Sequence, residues 1–197
     1  MKPWFHLWFV AVFLLLITLR LYYHALSRTW ERQRTQAEGR WMLLLRFGLG
    51  LPMVGATLLY LVRPGLFSWA SVEFPESWRW LGGVLCSVCL PLAWWIHRTL
   101  GKNFSTDLRI RPDHTLVTAG PYRYVRHPMY STFLLCFTGM LLLTANWFLA
   151  GVGWVVLALV MILRTPREER MMMEAFGDQY RDYMARTGRF LPRLRSS

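Results

Sequence analysis

The sequence predicts an all-α integral membrane protein: five transmembrane helices, the last two forming a hairpin, together with a cytosolic loop and a C-terminal amphipathic helix. Of its 197 residues, 54% are hydrophobic and only 17% are charged, whereas about a quarter of the residues of a soluble domain are charged. The charged residues are also unevenly placed and leave four long uncharged stretches. An aromatic content of 16% excludes an intrinsically disordered chain.

The uncharged stretches predict the individual spans. Three of them cover residues 4–19, 46–63 and 80–97 with their flanking arginines, close to the roughly 20 residues that cross a hydrocarbon core. The fourth, residues 129–163, would be about 50 Å long as a single helix, but the core is only about 30 Å thick. We therefore expect a hairpin of two helices that turns near residues 144–146.

The lysine and arginine residues predict the orientation in the membrane. The formal net charge is +12, and twenty of the 23 basic residues fall in the loop after span one, the loop after span three, or the tail. The exceptions are Lys2, Arg63 and Arg79. The positive-inside rule places the N-terminus outside and the C-terminus in the cytosol. The charge is therefore interpreted as membrane orientation and contact with lipid headgroups, not as a nucleic-acid surface, and the compact, arginine-rich chain favours a prokaryotic cytoplasmic membrane.

The three cysteines predict neither a disulfide framework nor a metal site. Cys86 and Cys89 have CxxC spacing, but both lie inside the third span. Small apolar side chains that pack within a membrane helix are the better interpretation there.

The polar segments divide one structural unit into two halves. Residues 1–98 hold the first three spans, and residues 99–197 hold the cytosolic loop, the hairpin and the tail helix. The loop is long for a connection between spans, and long loops are usually functional or disordered. Within it, residues 108–111 alternate like a short strand and residues 115–117 are expected to be extended. The chemistry of the protein is expected in this second half.

The segment that enters span four has the features of a ligand-binding helix start. Pro128 suits the first helical turn, so His127 lies at the cap position. The first amides of the helix, including those of Met129 and Tyr130, can then bind an anion or the acceptor atoms of a ligand. The alternative is that His127 only caps the helix and that Tyr122 and Tyr130 are interfacial aromatic residues.

The tail begins at the end of span five and contains a second group of polar residues. Pro166 is expected to stop the membrane helix or to start a new one. Glu168 and Glu169 would then lie in the first turn of the tail helix, where carboxylates complement the helix dipole. Arg164 is interpreted either as a residue at the end of the span whose side chain snorkels to the membrane surface or as a residue that binds a substrate. The tail helix is expected to cover the cytosolic face of the membrane.

Short motifs occur in a fixed order over roughly residues 99–193. They are Leu100-Gly101-x-Asn103-Phe104-Ser105, His114-Thr115-Leu116-Val117-x-x-Gly120-x-Tyr122, Arg126-His127-Pro128-x-Tyr130, Arg164, Glu168-Glu169, Phe176-Gly177-x-x-Tyr180-x-x-Tyr183 and Arg189-Phe190-Leu191-Pro192. As an ordered set they resemble the isoprenylcysteine carboxyl methyltransferase family and its prokaryotic relatives.

This resemblance implies an integral-membrane methyltransferase that uses S-adenosylmethionine and modifies a lipophilic acceptor entering from the bilayer. The implied reaction is O-methylation of a carboxyl group like that of isoprenylcysteine. Arg164 falls on the position of the family's substrate-binding and catalytic arginine. The implied cofactor-binding residues are His114, Thr115, Leu116, Val117, Tyr122, His127, Pro128, Met129, Tyr130 and Glu168.

The residue types agree with this implication. A sulfonium ligand is stabilised by a carboxylate and by aromatic faces, which Glu168, Tyr122 and Tyr130 supply. Three alternatives stay open: N-methylation of a phospholipid headgroup, a nicotinamide-dependent membrane reductase on a related scaffold, and a non-catalytic membrane component. An amine acceptor would need a general base, for which His127 and Glu169 are candidates.

Overall fold

The computed structural model describes residues 2–31, 48, 50–103 and 115–193, and the regular elements in these ranges are helices. Three are short 3₁₀ helices, at Pro64–Ala70, Gly101–Asn103 and Gly120–Arg123. The α-helices are α1 (Pro3–Glu31), α2 (Leu51–Val62), α3 (Glu76–Leu100), α4 (Pro128–Thr144), α5 (Trp147–Phe176) and α6 (Asp178–Arg186).

The helices agree with the predicted membrane class. Helices α1, α3 and α5 are long and apolar enough to cross a membrane, and α2 with the 3₁₀ helix after it counts as a fourth candidate that is bent by 113°. Helix α4 is apolar but has 17 residues. The all-α membrane fold is thus confirmed for the described ranges, while the number of five spans and the orientation stay predictions.

The turn between α4 and α5 lies where the length of the uncharged stretch predicts it. Ala145 adopts the left-handed conformation with φ of 53°. The side chain of Asn146 accepts a hydrogen bond from the amide of Leu149 at 3.2 Å and donates one to the carbonyl of Phe67 at 2.8 Å. Asn146 therefore caps α5 and also joins the hairpin to the 3₁₀ helix after α2.

Helix α5 continues through Pro166, so the prediction that this proline ends the membrane helix is wrong. Membrane helices tolerate an interior proline because neighbouring groups satisfy the carbonyl that loses its partner. The helix ends instead before Gly177, whose φ of 52° suits glycine. Glu168 and Glu169 consequently lie about six turns into α5, and the interpretation of both as first-turn acids is also wrong.

Helices α3 and α4 pack with their backbones in close contact at Gly82. A Cβ atom added to Gly82 would lie 2.4 Å from the amide nitrogen of Leu143 and 2.8 Å from the carbonyl oxygen of Gly139. Small residues permit this close approach between membrane helices. This contact involves the last turns of α4 and holds the α4–α5 hairpin against α3.

The Gly82→Ala variant is expected to lose stability because its methyl group would meet backbone atoms that cannot move aside. We expect a loss of about 1–3 kcal/mol, measured as a lower midpoint of thermal unfolding in detergent. Gly55→Ala is the matched control, since a Cβ there meets nothing within 4 Å. Equal midpoints for the two variants would contradict the close α3–α4 contact.

Candidate functional site

Glu168 is the centre of one polar cluster near the end of α5. Its carboxylate accepts a hydrogen bond from Nε of Arg164 at 2.6 Å and one from the hydroxyl of Tyr130 at 3.5 Å. Nδ1 of His127 lies 3.5 Å from the same carboxylate. The side chain of Glu168 is 23% exposed and that of Arg164 is 18% exposed. The structure thus brings His127 and Tyr130 at the start of α4 together with Arg164 and Glu168 near the end of α5.

Glu169, the next residue, is the centre of a second and more buried cluster. Its side chain is 8% exposed. It accepts a hydrogen bond from Nε of Arg126 at 3.0 Å, and from Nε and Nη2 of Arg189 at 3.2 and 2.5 Å. Nε2 of His127 lies 3.3 Å away. Glu169 therefore contacts both the segment before α4 and the tail after α6.

The tail is held against the start of α4 by backbone hydrogen bonds. The amide of Arg126 donates to the carbonyl of Gly188 at 2.9 Å, and the amide of His127 donates to the carbonyl of Arg189 at 3.0 Å. The hydroxyl of Ser131 donates to the carbonyl of Phe190. The ring of Phe190 lies 5.8 Å from that of His127, so the tail covers one side of the site.

His127 occupies the predicted position immediately before α4, with Pro128 as the first helical residue. Its side chain makes no cap hydrogen bond. The ring instead stacks on Tyr130, with the centroids 5.7 Å apart, and turns toward the two glutamates. His127 therefore occupies the cap position without a side-chain cap bond, and its role as a site residue stays a prediction.

Tyr122 lies in the 3₁₀ helix that precedes α4, and α6 holds it in place. The hydroxyl of Tyr183 donates to the carbonyl oxygen of Tyr122 at 2.7 Å. Burial raises the pKa of the Tyr122 phenol, and the nearby Tyr183, Glu168 and Tyr130 act in the same direction. The phenol is consequently neutral at physiological pH and can offer an aromatic face or a hydroxyl group, but not a phenolate.

The loop residues predicted to bind the cofactor are only partly described. His114 and the predicted strand at residues 108–111 lie outside the described residues. Thr115 exchanges two hydrogen bonds with the Asn103 side chain, at 3.0 and 3.2 Å, and Leu116 and Val117 are half-buried without regular secondary structure. The role of these three in a cofactor site stays a prediction.

A groove with a volume of about 420 Å³ lies between α4 and α5 beside the two clusters. Its walls are mostly apolar and include Leu134, Leu157 and Met161. Thr165 and Pro166, which follow Arg164 directly, also line it, together with Arg189 and Phe190 of the tail. Concave, mostly apolar cavities of this size with a few polar groups are typical of ligand sites.

The sequence reasoning missed the roles of Arg126 and Arg189. Both belong to the ordered motif series, and their place in that series was the available signal. Their common partner Glu169 is 43 and 20 residues away in the sequence, however, so no local spacing indicates that the three side chains meet.

Comparison with known proteins agrees with the motif series. Residues 82–174 match the isoprenylcysteine carboxyl methyltransferase (ICMT) family. The matched region contains most of both clusters, and the predicted resemblance to the ICMT family is confirmed.

Individual relatives support the match. The chain is 35% identical over 96 residues to protein-S-isoprenylcysteine O-methyltransferase B of Arabidopsis thaliana, covering 48% of this chain and 49% of that protein. It is 33% identical over 138 residues to the cobalt-zinc-cadmium resistance protein CzcN of Cupriavidus metallidurans, covering 65% and 60% of the two chains.

The fold is similar to a solved structure of the eukaryotic intramembrane Ras methyltransferase ICMT, determined without a monobody. The two structures superpose with a TM-score of 0.53 at 21% identity, and the match covers 80% of this chain and 54% of that one. This likeness establishes a shared helical membrane fold. The chain spans about half the length of the Arabidopsis relative.

Proposed function

We propose that this protein is an S-adenosylmethionine-dependent membrane methyltransferase that O-methylates the carboxyl group of a lipophilic acceptor, such as an S-prenylated cysteine. One observation carries the proposal. The Arg164–Glu168 ion pair lies on the part of α5 whose neighbouring residues line a mostly apolar groove. This supports a site in which a cation could bind a carboxylate, and a carboxylate could bind a cation, close to a hydrocarbon chain.

The residues around Glu168 fit the cofactor. S-adenosylmethionine supplies an electrophilic methyl group on a positively charged sulfur, which becomes a neutral thioether when the acceptor oxygen takes the methyl group. Such a cation is stabilised by a nearby carboxylate, and Glu168 offers one that is partly buried. Tyr122 and Tyr130 offer aromatic faces beside it. The proposed cofactor contacts also include His127, Pro128 and Met129 at the start of α4, and the loop residues from His114 to Val117.

Arg164 is the residue that would hold the acceptor. Its guanidinium has a planar fork of N–H donors that matches a carboxylate, and Nε is already fixed by Glu168. An arginine with a fixed orientation can align the acceptor oxygen with the methyl group. No general base is needed, because the acceptor carboxylate is ionised before the reaction.

The apolar groove would admit the acceptor from the side. Most of its wall residues belong to α5, which is a membrane-span candidate, while Leu134 belongs to α4 and Arg189 and Phe190 to the tail. A lipid chain in this groove would bring its headgroup to Arg164 and exclude water from the reacting groups. Exclusion of water favours this reaction because two opposite charges disappear in the transition state. With five spans, the site would face the cytosol and would lie in the cofactor-binding half of the chain, residues 99–197.

A labelled methyl group tests the proposal. The detergent-solubilised protein is incubated with methyl-labelled S-adenosylmethionine and either an S-prenylated cysteine with a blocked amine or a phospholipid extract, and the extracted lipid is treated with base. We expect label in the lipid fraction that base releases as methanol, which identifies a methyl ester. A base-stable label in a lipid amine would contradict O-methylation and favour the phospholipid N-methyltransferase.

Calorimetry with each candidate cofactor is the control for the cofactor. Binding of a nicotinamide nucleotide without binding of S-adenosylmethionine would contradict the proposal and favour the reductase. Binding of neither cofactor would favour a non-catalytic membrane component.

A further inference from the structure

Glu169 is a buried carboxylate that the proposed reaction does not use. It lies where three parts of the chain meet: α5, the segment before α4, and the tail. Arg126 and Arg189 pair with it from two of these parts, and His127 contacts it from the first residue before α4. Because a buried hydrogen-bond network is sensitive to the loss of any member, Glu169 can determine the position of all three partners.

The contacts of His127 indicate how its ring is oriented. Nε2 lies 3.3 Å from Oε1 of Glu169, and Nδ1 lies 3.5 Å from Oε2 of Glu168. An ionised carboxylate only accepts hydrogen bonds, so the closer contact places a proton on Nε2. With Nε2 held by this hydrogen bond, the orientation of the ring leaves Nδ1 facing the Glu168 carboxylate.

We infer that Glu169 is a positioning residue with two effects. It holds the His127 ring with a proton on Nε2 and Nδ1 toward the cofactor site, and through Arg189 it docks the tail beside the same site. The adjacent glutamates then have different roles, since Glu168 contacts the ligand while Glu169 orients the residues around it. The inference about His127 and the tail stands without a ligand, and only its consequence for cofactor affinity rests on the proposed function.

The Glu169→Gln variant tests the inference through the imidazole signals. The amide of glutamine brings N–H donors toward guanidinium groups that also donate, so the position no longer favours a proton on Nε2 of His127. Nitrogen-15 spectra of the histidine rings are recorded on the full-length protein in detergent, and the His127 signals are assigned by their loss in His127→Gln. We expect a protonated Nε2 in the wild type and a changed signal in Glu169→Gln.

Two further variants distinguish a positioning role of Glu169 from a general effect of substitution on folding. Glu174→Gln makes the same change at an exposed position of the same helix and is expected to leave the His127 signals unchanged. Arg189→Met removes one partner but keeps the Glu169–His127 contact, so we expect Nε2 of His127 to stay protonated while proteolysis of the tail becomes faster. A variant enters the comparison only if its thermal unfolding remains cooperative. If Glu169→Gln does not fold, Glu169→Asp, with a shorter carboxylate side chain, replaces it.

Cofactor binding supplies the second readout. Calorimetry with S-adenosylmethionine is expected to give an affinity about tenfold weaker for Glu169→Gln, corresponding to one lost hydrogen bond to a charged group. Unchanged His127 signals in a folded Glu169 variant would overturn the inference. If the wild type binds no S-adenosylmethionine, the proposed function fails, whereas the ring signals still decide the role of Glu169.

Discussion

Replacement of Arg164 by methionine is expected to lower kcat by about 100- to 1,000-fold, the range found when one charge-stabilising donor is removed from an active site. Methionine fills similar apolar space but has no donor to align the acceptor carboxylate. Cofactor affinity should not fall, because the Glu168 carboxylate remains and loses a competing cation. The measurements are turnover with an S-prenylated cysteine and calorimetry with S-adenosylmethionine.

The control for this prediction is Arg167→Met. Arg167 is exposed and belongs to the same helix, so it reports the effect of losing a positive charge near the membrane. Arg164→Lys should also be impaired, since a lysine is a point charge without the planar fork. Full turnover by Arg164→Met with unchanged cofactor affinity would remove Arg164 from the proposed reaction.

The sequence predicted those parts of the fold that depend on length and local residue chemistry. The uncharged stretch over residues 129–163 is too long for one span, and it contains Asn146, a good helix cap. Both facts are local, and the α4–α5 turn lies there as expected. The start of α4 was equally clear, because Pro128 fits the first helical turn and the helix begins at that residue.

The continuation of α5 could not be predicted in the same way. In isolation, an interior proline costs a helix about 3 kcal/mol, which made Pro166 the expected end. In the folded chain the neighbouring Thr165 and Glu169 are buried, and tertiary contacts on both sides of the proline outweigh this local cost. The end at Gly177 depends on a backbone conformation that glycine favours, whereas a proline is the stronger local signal for a helix end.

In the candidate site, too, some contacts follow from local sequence and others depend on how distant segments pack. Arg164 and Glu168 are one helical turn apart, so their ion pair follows from spacing once α5 is known to continue. The Glu169 cluster joins residues from three segments, and its formation depends on how the tail returns to α4. A single sequence contains no measure of that return path, although Arg126, Glu169 and Arg189 all belong to the ordered motif series.

Replacement of Glu168 by glutamine is expected to weaken binding of S-adenosylmethionine by about ten- to a hundredfold, the effect of losing an opposite charge a few ångströms from a partly buried cation. The substitution weakens binding in two ways. It removes a carboxylate that attracts the sulfonium, and it breaks the 2.6 Å ion pair with Arg164, so that the guanidinium charge is less neutralised and repels the sulfonium. Turnover at subsaturating cofactor should fall with the affinity.

Comparing a charged ligand with a neutral one distinguishes a sulfonium site from a structural ion pair. S-adenosylhomocysteine has the same adenosine and amino-acid groups but a neutral sulfur, so its affinity for Glu168→Gln should change much less than that of S-adenosylmethionine. Glu174→Gln, exposed on the same helix, should leave both affinities unchanged. Equal weakening of both ligands would mean that Glu168 supports the shape of the site, and the proposed contact between its carboxylate and the sulfonium would be wrong.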